Sequence, residues 1–492
     1  LDLTQTPRLA LGYSIDQRNS LLVKLAQLAA QPAVSGEILD LSDPVKYKDL
    51  SNLYQAWDDS PAGHSNAEQV ARANLVAAAI KNLLFTLRPA YPNLQNILIV
   101  GGDSIIPFRR IPDEVTIANE STYDAFAKSG TPLSASLQER YFFSDNFYAS
   151  FNPIPWRGRE LYLQDYGIGR LVETPEEISA ALDGFLAHPS VVANQSLVVG
   201  YDFMRDQSKA IADYLDANMI TKTERLISDD WIASTLKNTW LNQSFQLSSI
   251  NAHFDHYRAI PPEPSQGVVT PTDIKSSNHV ANSIIFSVGC HSGLSVPDQQ
   301  SITNQYDFAQ ALVGKGAAYI ANTGFGYGDA DAIGYSERLM QLFVIKLQEK
   351  GNVGEALRQA KLAYFNELGV RSMTPYDEKI LSVATLYGFP MLQVHMNQAT
   401  NIAASATTDL SSISPAISCQ SASSLLCRQV VLSPTYDENT SVSGKYYNVK
   451  GELPQVIWEQ PIQPRTSISI TFGGTSAHGT LFEGGQYITE QS

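Results

Sequence analysis

Short apolar runs that close on glycine, aspartate or cysteine recur along this chain and leave few folds open to it. They include NILIVGGD from Asn96 to Asp103, SLVVGYD ending at Asp202, SIIFSVGC ending at Cys290 and GKGAAYIANTG ending at Gly324. Between them lie segments with apolar residues at helical spacing: Ser20 to Ala30, Ala67 to Leu87, Gln207 to Asn218, Ala332 to Lys350 and Gly354 to Glu367. Strands without a polar alternation are buried on both faces, and intervening helices supply both covers, so the pattern predicts α/β architecture with parallel-rich sheets. The segment YGIGRLVETPEEISAALDGFLAH adds a strand, a Thr174 N-cap with Glu177 three residues on, and an amphipathic helix.

With 492 residues, 43% of them hydrophobic, the chain has material for more than one core. The pattern divides into an α/β subdomain over 1–195 and a second over 196–397. A Ser/Ala-rich linker over 398–424 and a small β module over 425–492 follow, the latter from the runs RQVVLSPTY, GKYYNVKG and SISITFGG. A β-sandwich (Ig-like) module, cut short by the end of the sequence, is expected there.

A net charge of -15 without any Lys/Arg run excludes a phosphate-backbone partner. No apolar run reaches the roughly 18 residues of a membrane span. The amino terminus lacks a basic n-region and an initiating Met, which reads as a processed protein or an excised piece and leaves secretion open. Of the three cysteines, Cys419 and Cys427 are close enough in sequence to pair, with Cys290 as the odd thiol; this points to an extracytoplasmic or secreted setting.

Parallel strands put their carboxyl ends on one edge of a sheet, where open α/β folds carry their chemistry. The strand endings at Asp202, His253 and Cys290 are therefore expected to converge. A cysteine nucleophile needs a base or ion-pair partner, and histidine is the usual one. His256 rivals His253 as base or as a substrate contact in the same cleft. His291 points to the opposite face from Cys290 if the chain is extended, and His279 reads as a surface residue. Cys290 as a small core hydrophobe, Asp202 as a helix cap and Asp206 as a first-turn helix acid are the competing structural readings. In NTGFGYGDADAIGYSERL, which has no basic residue to meet phosphate, Asp329 and Asp331, with Asp145 of SDNFY, are candidates for a structural calcium site.

The ordered set NILIVGGDSIIP, SDNFY, YGIGRLVETPEEI, LVVGYD, IIFSVGC, GKGAAYIANTG and TLYGFPMLQV resembles the gingipain-type cysteine peptidases, over roughly Asn96 to His395. The resemblance implies a caspase-like fold and a cysteine endopeptidase that acts through a thioester acyl-enzyme and needs no cofactor. It makes Cys290 the nucleophile and His253 the general base and acid, with Asp202 as the histidine's support. Asp206 becomes the acidic floor of an S1 pocket that favours Arg at P1. Gly289, with the backbone N–H groups of Cys290 and Phe254, becomes the oxyanion site. The family's Gly-His-Gly or Gly-His-Ser is replaced here by Ala252-His253-Phe254. That departure keeps open a catalytically inactive relative that binds peptide or protein as a scaffold. An esterase or transpeptidase using the same pair differs only in what attacks the acyl-enzyme. The Pro-rich stretch from Pro262 to Ser276 is expected to cover the cleft.

Overall fold

A computed structural model describes residues 14–41, 45–58, 65–219, 222–297, 300–302, 306–369, 372–396, 435–441 and 444–450. Eight strands form one sheet: β1 (Asn96–Val100), β2 (Gly167–Leu171), β3 (Ser196–Gly200), β4 (Glu224–Ile227), β5 (Leu247–Ile250), β6 (Ile284–Phe286), β7 (Ala318–Asn322) and β8 (Ala384–Tyr387). Their order across the sheet is β1-β2-β8-β7-β6-β5-β3-β4. Strands β4, β3, β5, β6 and β7 are mutually parallel. Strands β1, β2 and β8 are parallel to one another. The two sets meet antiparallel at β7 and β8, with Tyr319 opposite Tyr387.

The halves anticipated as two subdomains with sheets of their own thus share a single sheet. The reason is β8, which comes late in the chain and inserts between β2 and β7. Alternating patterns reveal how many strands there are, whereas pairing order depends on contacts remote in sequence. Strands β2, β3, β5, β6, β7 and β8 are buried along their whole length, as expected of the apolar runs in β3 and β6; β2 and β5 bury Arg170, Ser248 and Ser249 as well. The edge strands β1 and β4 are only partly covered. The sequence pattern did not reveal β4, because Glu224 and Arg225 open it.

Helices cover the sheet where the periodicity placed them: Ile15–Ala29, Asn66–Leu87, Pro175–Ala187, Arg205–Asn218, Tyr335–Lys350 and Val353–Leu368. Pro175–Ala187 starts as expected, with Thr174 and Glu177 forming a reciprocal capping box and Pro175 in the first turn. Gly351, at φ +63°, ends one helix in the left-handed conformation and lets the next begin two residues later. Asn66–Ala90 is long and apolar enough to cross a membrane, but Val70, Ala73, Val76, Ala77 and Ile80 of this helix are buried in the protein.

Asp145 proves to be a core residue. Its carboxylate takes a bidentate pair from the fully buried Arg170 of β2, at 2.8 and 2.6 Å, and the same guanidinium donates to the carbonyls of Gly101 and Ile106. The expected linker, Cys419 and Cys427 lie outside the described residues. Of the expected β module only a hairpin, Tyr436–Ser441 with Gly444–Val449, is described.

Candidate active site

Because β3, β5 and β6 are parallel, the segments that follow them emerge on one edge. Asp202 follows β3, adopts φ +54° and opens a one-turn helix, Asp202–Met204. His253 follows β5 and begins a short hairpin, His253–Asp255 with Arg258–Ile260. His253 Nε2 stands 3.2 Å from Asp202 Oδ2, and its ring lies edge-on to Tyr201 and Phe203. Both side chains of this pair are exposed, 45% for the histidine and 59% for the aspartate. Such a pair adds little stability; it can orient the imidazole.

The N–H and C=O of Ala259 both pair with Val269, so the Phe254–Ala259 pair opposite is not hydrogen-bonded, and the Phe254 N–H faces away from its hairpin partner. The Phe254 ring turns into the core against Phe308 and lies directly on Gly289. A Cβ at Gly289 would sit 2.4 Å from that ring and 3.0 Å from the Ala252 carbonyl. The histidine and cysteine segments therefore touch at Gly289. Gly289→Ala is expected to lower stability by about 1–3 kcal/mol, read as a lower urea midpoint at unchanged m-value, and to part the two segments.

The loop after β6 is pinned by side chains. Ser287 Oγ accepts from Gly289 N–H at 3.0 Å, Ser292 Oγ donates to the Gly289 carbonyl at 2.8 Å, and Asn322 Nδ2 donates to the Val288 carbonyl at 2.9 Å. Since the Gly289 N–H is already bound, that residue enters the expected oxyanion site by close approach and not as a donor. Cys290 is partly buried, with Sγ 3.5 Å from the Gly326 carbonyl. Burial pushes its thiol pKa up, so ionisation depends on a partner.

Asp206 sits half-buried in the first turn of Arg205–Asn218. Burial, with Asp329 adding to it, moves its pKa up to about 6. Glu337 is fully buried; its Oε2 accepts from the N–H groups of Asp329 and Gly334, and burial and Asp206 hold it well above the usual carboxylate range. Gly328 is wedged between Phe203 and Glu337, where a Cβ would lie 2.4 Å from the Phe203 ring and 2.8 Å from the Glu337 carboxyl carbon. Asp206 and Glu337 are thus both harder to ionise than exposed carboxyls. The sequence singled out Asp206 for the S1 floor and Asp329 for calcium, and did not single out Glu337, which looks like an ordinary helix residue.

Several expectations need correction. His256 does not face the cleft: it is 1% exposed, its Nδ1 meets the Tyr123 hydroxyl at 2.8 Å, and burial brings its pKa down to about 3. The hairpin starts at His253 and turns after Asp255, which carries His256 under Tyr123. Asp145, held by Arg170, does not join Asp329 and Asp331, and among the described residues no group of three His, Cys, Asp or Glu is placed to hold a metal. In the Pro262–Ser276 stretch Glu263 to Gly267 are exposed, while Val269 and Ile274 are buried. His279 is at the surface as expected, bonded to Ser244.

The sequence profile of Peptidase family C25 matches residues 44–395. Among solved structures, the chain is similar to the Arg-specific cysteine proteinase gingipain R (RgpB), at 17% identity over 65% of this chain and 69% of that one, TM-score 0.46. It is similar also to the complex of Porphyromonas gingivalis RgpB pro- and mature domains, at 18% identity, 71% and 78% coverage and TM-score 0.46. A structure described as a protease gives 13% identity, 71% and 76% coverage and TM-score 0.45. No curated protein matches the chain.

Proposed function

From the premise that the chain belongs to peptidase family C25, we propose that it is a cysteine endopeptidase with Cys290 as nucleophile and His253 as general base and acid. The observation that carries this reading is the contact at Gly289, which joins the cysteine loop to the segment holding the Asp202–His253 pair. With Nε2–H donated to Asp202, His253 Nδ1 is free to take the thiol proton. The thiolate attacks the scissile carbonyl, and the outward N–H of Phe254 meets the oxyanion. His253 then gives its proton to the leaving amine. Water, deprotonated by the same imidazole, breaks the thioester and restores the thiol. An extracytoplasmic setting, inferred from the cysteine count, belongs to the same proposal.

Asp206 serves in this reading as the floor of S1, favouring Arg at P1. A carboxylate that is neutral below about 6 attracts a cation only as the pH rises through that value. The preference for Arg over Leu at P1, measured as a ratio of kcat/KM so that the ionisation of His253 cancels, is expected to rise up to about tenfold between pH 5 and 7. In Asp206→Asn the ratio is expected to be low and flat across the same range.

The whole reading is tested by mass spectrometry after treatment with arginyl and leucyl chloromethyl ketones. Covalent labelling at Cys290, kept in His256→Ala and lost in His253→Ala, is the expected result. A free thiol that no P1 variant of the reagent labels would reject it in favour of a peptide-binding relative.

A further inference from the structure

Behind the nucleophile lies a buried charged cluster that the proposed chemistry does not use. Glu120, His291 and Lys379 are all fully buried, although they come from the 3-10 helix Glu120–Phe126, the residue after the nucleophile, and the helix Pro375–Val383. Glu120 Oε2 lies 2.7 Å from His291 Nε2, and Glu120 Oε1 accepts from the Phe325 N–H at 2.9 Å. Lys379 Nζ stands 2.8 Å from both Glu120 Oε1 and Asp113 Oδ2. The His291 ring stacks on Tyr123 with 3.4 Å between centroids, and the His291 backbone N–H donates to the Gly324 carbonyl.

Each contact bears on Cys290. His291 is held at φ +53°, a conformation costly for a residue with a Cβ and kept only where its surroundings enforce it. That conformation sets the turn presenting Cys290. Phe325 belongs to the segment whose next carbonyl, at Gly326, receives the Cys290 sulfur. We propose that Glu120 is a positioning residue for the nucleophile: one carboxylate, clamped by Lys379, fixes His291 and so the turn carrying Cys290, and fixes Phe325 and so the wall against its sulfur. This rests on the reading of Cys290 as nucleophile.

The cluster also acts on the thiol by charge. Glu120 opposes ionisation of Cys290 and Lys379 favours it. The other titratable groups coupled to the cluster are Asp113, Tyr123, Asp255 and His256, with Tyr327, whose own ionisation Cys290 opposes. Replacing Glu120 by glutamine keeps the shape, removes the negative charge and leaves Lys379 in place. The thiol then becomes more acidic, while the turn loses its clamp. The two effects have opposite signs, which loss of packing alone cannot mimic.

The test measures two things on wild type, Glu120→Gln and His291→Asn, the last because asparagine tolerates the left-handed conformation and serves if Glu120→Gln does not fold. The first is the pH profile of Cys290 alkylation by iodoacetamide, followed by mass spectrometry. The second is kcat and KM on a peptide the wild type cleaves. For Glu120→Gln the expected result is an alkylation profile moved to lower pH, with kcat down roughly ten- to hundredfold and KM within about twofold. For His291→Asn kcat falls similarly while the profile, with Glu120 retained, does not move to lower pH. Unchanged kcat in a folded variant, or a lowered kcat in Glu120→Gln with an unmoved profile, overturns the proposal. If the wild type cleaves no peptide, the peptidase reading fails, and the alkylation profile of Glu120→Gln alone decides whether the cluster acts on the thiol.

Discussion

Cys290→Ala is expected to lose at least about a thousandfold in kcat on any peptide the wild type cleaves, with the urea midpoint nearly unchanged. The thiol is small, and its neighbours hold their places through other bonds: Ser287, Ser292 and Asn322 pin the preceding residues, and Glu120 pins the following one. Removing sulfur therefore removes chemistry and leaves the loop. His253→Ala is expected to come close behind, roughly 10²- to 10⁴-fold, because burial disfavours the thiolate and a base must compensate. Combined, the two substitutions should cost little more than the worse one alone, since either breaks the same unit. Steady-state kinetics on the two single variants and the double variant checks this. Multiplying losses would mean that the two side chains work separately.

Asp145→Ala is expected to destabilise the fold by about 3–5 kcal/mol, the usual cost of leaving one member of a buried ion pair uncompensated. Arg170 is fully buried and has no other carboxylate among its bonds. Lys361, also buried near Asp145, has its pKa lowered to about 7 by burial, with Asp145 working against that shift. Losing the aspartate thus leaves Arg170 as an uncompensated buried cation and pushes Lys361 further toward its neutral form. Urea unfolding measures the effect. Adding calcium to the wild type should leave the midpoint where it is, whereas a calcium-dependent rise abolished by Asp145→Ala would restore a metal role to this residue.

The fold class could be read from β3, β6 and β7 alone, because an apolar run buried on both faces has few other homes. That the segments carrying Asp202, His253 and Cys290 leave the sheet on one edge followed from the same pattern, for parallel strands admit only one arrangement of their ends. What stayed hidden depends on contacts between remote segments. Glu120 sits in ANESTYDAF, where an acid reads as solvated surface, and only the packing of Pro375–Val383 supplies the lysine that makes it a core residue. Lys379 and Glu337 look equally ordinary on amphipathic helices. His256 was misplaced because two histidines three residues apart look equivalent until the hairpin turn after Asp255 sends one outward and the other beneath Tyr123.

The antiparallel seam between β7 and β8 has a consequence for a nicked molecule. A cut in the exposed stretch between Ala193 and β3 would separate the chain into two pieces, yet β8 would travel with the later piece while remaining seated beside β2 of the earlier one. Residues Gln393–Met396 would stay paired with Ser190–Ala193 in the same way. The pieces are interleaved, so the cut product should elute as one particle under native conditions and come apart only when the sheet itself is melted.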